Sequence, residues 1–313
     1  MAAWPAYAGQ APRVYGATFS STYTIYAVSP DLLVGWNGPL RGYEKKYIPE
    51  KYQKLPVLGG WYGQGFFPDR EVLMKAGIDK VLLLTRETEF TASIEKALTE
   101  LGLPVVTERD LYMSDYAPMF RKLGQAFDMP ERGEELAART DAIISETAKM
   151  LEGVPEDGRP RVYMAQEVDG LGTVCSESKR SELLNLVGAI NVHQCPKLVR
   201  EATIKVSFEQ IMAYDPDVVL IMHPTFAERF DQDAKWQTLR AAREGRIYKV
   251  PFEPFCWMDK PSTYMRVIAF PWLACALYPE HCAMDLVRET KEFMRLFFHV
   301  DLDDAAVRSI LNP

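Results

Sequence analysis

The chain has 313 residues, of which 48% are hydrophobic and 25% charged, a globular composition long enough for two lobes of ordinary domain size. Its formal net charge of −7 argues against a nucleic-acid binder, which would show a basic face. No apolar run reaches the roughly 20 residues needed to cross a bilayer as a helix. The start carries Ala6-Tyr7-Ala8, small residues flanking one large one. It reads either as the stub of a trimmed export signal or as an ordinary end rich in Ala and Pro.

Residues 13–17 (RVYGA) form a short apolar run that ends in the polar stretch 18–22. This is the pattern of a buried parallel strand followed by a loop. A short helix is expected over 23–28, a second strand over 32–36 and a third over 55–59. Residues 59–65 then hold four glycines with Trp61 and Tyr62 among them, the composition of a flexible loop carrying two rings. A helix follows at 71–76, a strand at 80–84, a helix at 89–101, a strand at 105–106 and a helix at 115–127.

Residues 131–151 are the pivot of the pattern. Leu136, Thr140, Ile143, Thr147 and Met150 recur at spacings of 4, 3, 4 and 3, which places one stripe along a helix. Asp128 and Pro130 cap its start, and Gly153, Pro155 and Gly158 end it. Strand–helix alternation resumes afterwards. Strands are expected at 161–165, 190–192, 217–222 and 246–250, and helices at 178–188, 207–213, 235–244, 262–277, 286–297 and 303–311. The expected fold class is therefore α/β, with two parallel-sheet, Rossmann-like lobes joined by one long helix. The boundaries are 1–129 for the N-terminal lobe, 130–153 for the helix and 154–313 for the C-terminal lobe.

Parallel sheets place ligands at the carboxyl ends of their strands. The residues there are Phe19, Ser21, Tyr23, Trp61, Tyr62, Arg86, Gln166, Asp169, His223, Phe252, Phe255 and Trp257. The rings suit a large, partly apolar ligand, and Arg86 suits an anionic group. His223, with Glu167, Asp169, Glu253 and Cys256 also on strand-end loops, offers a set from which a metal site assembles; the alternative is a histidine bonded only locally. Other chemistries are poorly supported. Ser20 and Ser21 lack a GxSxG elbow, and the glycine loop lacks the Lys-Ser/Thr of a phosphate cradle. The five cysteines contain no CxxC pair, which argues against structural zinc. Cys275 and Cys282 either pair across a turn at Tyr278-Pro279 or remain buried thiols.

Five segments resemble, in the right order, the substrate-binding proteins of ABC importers for iron–siderophores, haem and vitamin B12. They are RVYGATFSSTYTIYAV, KLPVLGGWYGQG with PDREVLMKAGIDKVLLL, SESKRSELLNLVGAINV, VSFEQIMAYDPDVVLIMHP, and WQTLRAAREGRIYKV with the segment after it. The resemblance runs from Arg13 to about Glu280. It implies a protein without catalytic residues or cofactor that holds a metal complex between two lobes and passes it to a permease. It also implies one docking carboxylate on each lobe, which by position are Glu71 and Glu209. A periplasmic or otherwise extracytoplasmic monomer is expected. A bare oxyanion such as molybdate, or a transition metal held by histidine, is the alternative cargo. A nitrogenase-like metalloenzyme is the rival of a different class, but only Cys175 and Cys256 lie near cluster-binding positions, too few for an iron–sulfur cluster.

Overall fold

The computed structural model describes residues 11–61, 65–85, 88–109, 111–195 and 202–312. Two parallel sheets organise it. In the first, β1 (Val14–Gly16), β2 (Lys80–Thr85) and β3 (Val105–Arg109) lie in the order β1-β2-β3. Val14 is opposite Lys80, and Val81 opposite Val105. The later strands are β4 (Arg161–Ala165), β5 (Gly172–Thr173), β6 (Ile190–Asn191), β7 (Ile204–Lys205), β8 (Val218–Ile221) and β9 (Ile247–Lys249). Four of these form the second parallel sheet, in the order β6-β4-β8-β9, and β5 pairs antiparallel with β7. The apolar runs at β2, β4 and β8 are buried because helices cover parallel strands.

The chain divides into two compact units. One is Met1–Asp141 with Met294–Asp301; the other is Ala142–Phe293 with Leu302–Pro313. The 22-residue helix Pro130–Leu151 contains the division point. Leu136, Thr140, Ile143 and Thr147 are fully buried along it, as the spacing requires. The two threonines satisfy their hydroxyls within the helix, donating to the Leu136 and Ile143 carbonyls at 2.8 and 2.7 Å. Near its start, Gly133 faces Gly124 of helix Tyr116–Ala126. A Cβ on either would come within 2.7 Å of the other's Cα, so only glycine permits this backbone approach.

The partition differs from a simple split around the helix, because Met294–Asp301 packs with the first unit. Phe297 stacks edge-on against Phe120 at 5.5 Å, the Tyr26 hydroxyl donates to the Phe298 carbonyl at 3.3 Å, and Arg132 binds the Leu296 carbonyl.

Several local expectations are corrected. The polar stretch 18–22 is not a loop: helix Phe19–Val28 starts there, capped by the Thr18 hydroxyl, which accepts from the Ser21 amide at 3.2 Å. The expected strands at 32–36 and 55–59 are reduced to isolated bridges, Val14 with Leu33 and Trp36 with Val57. Pro56 cannot donate to a ladder, and at Gly35 the backbone passes too close to the Pro56 carbonyl for a side chain. Residues 235–244 break into the short turns Trp236–Thr238 and Arg240–Arg243. The cysteines form two disulfides, Cys175–Cys195 and Cys275–Cys282, and Cys256 is buried and free. Burial pushes the Cys256 thiol up to about 11. No helix among the described residues is long and apolar enough to cross a membrane.

Candidate functional site

In the first unit, the carboxyl end of β1 leads through Thr18 into helix Phe19–Val28. Phe19 and Tyr23 lie one helical turn apart, and their rings meet at 4.6 Å. Both line a small recess, together with Trp36, Asn37 and Glu44. The Tyr23 hydroxyl donates to Glu44 Oε1 at 2.8 Å, and the Arg41 amide donates to Glu44 Oε2 at 2.6 Å. Burial raises the Glu44 carboxyl above its ordinary range. Asn37 fixes the recess wall by donating to the Gly16 and Gly59 carbonyls at 2.7 and 2.9 Å. Sequence reasoning missed Trp36, Asn37 and Glu44. The one available signal was Asn37-Gly38-Pro39, a turn directly after an apolar run.

Ser21 was expected at the ligand but is fully buried. Its hydroxyl accepts from the Leu84 amide at 2.8 Å and so ties the helix start to β2. Trp61 is half-buried, not free on its glycine loop. Its ring lies edge-on to Tyr15 at 6.4 Å, and its amide donates to the Ala17 carbonyl at 3.0 Å. Tyr62 and Arg86 lie outside the described residues.

In the second unit, the ends of the three adjacent strands β4, β8 and β9 converge. Gln166 follows β4 and is buried. Its amide nitrogen donates to Asp259 Oδ2 at 3.1 Å, and its oxygen accepts from Arg180 at 2.8 Å. Arg180 Nε donates to the same Asp259 oxygen at 2.6 Å, with the two side chains only 5% and 2% exposed. A buried pair this well bonded holds the 259–262 turn against β4, and removing either partner would leave a buried charge uncompensated.

Above that network sits an exposed ion pair, Lys260 Nζ with Glu167 Oε1. Both residues have left-handed backbone, at φ 53° and 64°. Non-glycine residues seldom hold that conformation, and such residues cluster at functional positions. His223 follows β8 and is half-buried, and its buried Nδ1 has no hydrogen-bond partner. Burial lowers its pKa below the ordinary histidine value, with Glu167, Lys260 and Arg229 acting on it more weakly. The ring thus lies within electrostatic reach of one carboxylate and one lysine, with its Nδ1 buried.

The remaining expected residues have other tasks. Asp169 accepts from the Leu171 amide at 3.1 Å and pairs with Lys205 at 2.9 Å. Phe255 and Trp257 are buried, and Trp257 Nε1 donates to the Glu253 carbonyl at 3.0 Å. They belong to the interior of the loop and offer no ring face to a solute; Phe252 alone of these three is half-buried. Glu71 and Glu209 are exposed in the first turns of helices Arg70–Lys75 and Phe208–Tyr214, capped by Asp69 and Ser207.

Comparison with known proteins follows this geometry. Residues 79–254 match the family model described as periplasmic binding protein. An ABC transporter solute-binding protein from Sulfurospirillum deleyianum superposes with a TM-score of 0.87 at 30% identity, covering 96% of this chain and 94% of that one. The molybdate-bound periplasmic binding protein MolA of Haemophilus influenzae gives 0.74 at 18% identity, covering 94% and 95%. The periplasmic vitamin B12-binding protein BtuF of Vibrio cholerae gives 0.66 at 16% identity, covering 88% and 99%. A search of curated protein sequences found no significant match. With more than half its length matched by the family model, and with a 30%-identical relative over nearly its whole length, the chain belongs to the periplasmic binding protein family, the solute binders of ABC importers, and is not an enzyme.

Proposed function

We propose that this chain captures a metal-containing anion outside the cytoplasmic membrane and delivers it to an ABC permease. A chelate of the ferric-siderophore kind is the first choice of cargo. The observation that carries the reading is the group at the ends of β4, β8 and β9: the exposed Lys260–Glu167 pair, whose charges reach the half-buried His223 ring. A lysine presents a compact cation to an anionic ligand, and a neutral imidazole either donates to it or binds its metal. Phe252, half-buried on the loop after β9 in the same unit, supplies ring surface for the apolar part of a chelate. Solved proteins with the same fold include one bound to molybdate and one named for vitamin B12, both carriers of metal-containing cargo. Glu71 and Glu209, exposed on separate units, are the proposed permease contacts.

A second reading is supported by what the interior conceals. With Phe255 and Trp257 buried, the ring surface is smaller than the sequence implied, and a bare oxyanion on Lys260 and His223 needs little of it. Titration of intrinsic tryptophan fluorescence with ferric siderophores, haem, cobalamin, molybdate and nickel separates the readings. Saturable quenching by a ferric chelate is the expected result. A response to molybdate alone selects the second reading, and silence toward the whole panel defeats both.

A further inference from the structure

The disulfide Cys175–Cys195 lies against a histidine. The sulfurs of Cys175 and Cys195 and a ring nitrogen of His193 all fall within 4.8 Å of one another. His193 is 8% exposed, and its Nε2 has no hydrogen-bond partner. Its Nδ1 is 2.8 Å from the Tyr214 hydroxyl. A histidine that ligates a cation through one nitrogen characteristically donates its other N–H to an oxygen, which fixes the tautomer. Tyr214 is placed to receive that proton, leaving the Nε2 lone pair unused.

The frame around these atoms does not depend on the sulfur–sulfur bond. The Ser176 amide donates to the His193 carbonyl at 3.0 Å. The Ser181 hydroxyl and the Ser178 amide donate to the Cys175 carbonyl at 2.7 and 3.1 Å. Asn191 bridges the two segments, donating to the Val174 carbonyl and the Ser181 hydroxyl, both at 2.9 Å, while accepting from the His193 amide at 3.0 Å. Opening the disulfide therefore leaves the two sulfurs facing each other. Ligands about 2.3 Å from a shared ion lie roughly 4 Å apart, so the two sulfurs must move apart from bonding distance while the hydrogen-bonded frame keeps their main chains in place. Cys195 is partly exposed, so a dithiol has access to its sulfur.

We infer that a dithiol converts this disulfide into a three-donor site for a soft monovalent cation, Cu(I), bound by Cys175, Cys195 and His193. The dithiol is oxidised to its own disulfide as the protein's two sulfurs take up two electrons and two protons. Cu(I) then displaces both thiol protons and binds two thiolates and one neutral imidazole, a soft set that favours this ion.

The test is anaerobic Cu(I) titration of the full chain against a chromogenic chelator. The chain is used oxidised, and after dithiol reduction and desalting. The reduced chain is expected to withdraw one Cu(I) that the oxidised chain does not. Reduced Cys175→Ser should lose that equivalent, and reduced His193→Gln should hold it at least tenfold more weakly. Circular dichroism of the reduced wild-type chain accompanies the titration. A reduced chain that stays folded without taking Cu(I), a reduced chain that unfolds, or uptake unchanged in both Cys175→Ser and Cys195→Ser each overturns the inference.

Discussion

The guanidinium of Arg132 donates to the main-chain carbonyl of Leu296, 164 residues further along the chain. The same side chain donates to the Val28 and Ala27 carbonyls at 3.1 and 2.9 Å and pairs with Glu135 at 2.5 Å. One buried arginine on the long helix thus fastens the end of helix Phe19–Val28 and the returning segment to a single point. Arg132→Met keeps much of the aliphatic stem but removes the donor to three main-chain carbonyls. It should cost about 2–4 kcal/mol, read as a lower midpoint in urea unfolding. A midpoint within error of wild type would show that the fastening carries no weight.

The returning segment also contains a titrating group. His299 Nε2 lies 2.9 Å from the Tyr26 carbonyl, and burial, reinforced by Arg132, lowers its pKa to about 4. The folded protein thus binds this proton less readily than the unfolded chain, whose histidine titrates near 6.5. The resulting stability is complete above about pH 6.5 and is lost as pH falls through about 4; it is of order 3 kcal/mol. Thermal melts across that window should show a slope that His299→Asn makes shallower; asparagine is chosen because φ here is 58°. An equal slope in the variant would remove His299 as the cause.

Lys260 and Glu167 predict opposite effects at the solute site. Lys260→Ala removes the cation and should weaken anionic cargo about tenfold to a hundredfold, the range for a charged hydrogen bond. Glu167→Gln removes the carboxylate that now occupies Lys260 and should strengthen binding. Calorimetry of both variants with the cargo identified by titration checks this. Equal affinities in all three proteins would place the solute elsewhere.

Glu71 and Glu209 should be silent in binding. Glu71 Oε2 is 3.5 Å from Lys75 in an exposed i,i+4 pair, worth little to stability. The double variant Glu71→Ala with Glu209→Ala is expected to bind cargo within about twofold of wild type. Uptake into vesicles carrying the permease should fall at least tenfold, the loss expected when charge-assisted contacts are removed. Undiminished uptake would exclude both residues from docking.

Much of the frame was legible in the residues themselves. Four buried positions spaced by 4, 3 and 4 fixed the long helix, and the continuous apolar runs 81–84 and 218–221 could only be buried strands. The site was less legible because its members are joined by tertiary contacts. Arg180 and Asp259 are 79 residues apart, and nothing near either marks it as half of a buried pair. Phe255 and Trp257 sit in an aperiodic loop, where composition suggests exposure. Trp257 becomes buriable because the Glu253 carbonyl, four residues away, accepts its indole proton. Thr18 followed by Phe19 reads as the polar end of a strand, yet its hydroxyl starts a helix.

The placement of Met294–Asp301 has a consequence for biogenesis. A polypeptide is made, and passes through a translocation pore, beginning at its N-terminus. The first unit must wait for a segment that arrives after the second unit's residues 142–293. Until then Phe120, Tyr26 and Arg132 lack the contacts they make with Phe297, Phe298 and Leu296, and the interior of the first unit stays incomplete. Truncation shortly before residue 294 would therefore damage the opposite end of the gene product from the one deleted.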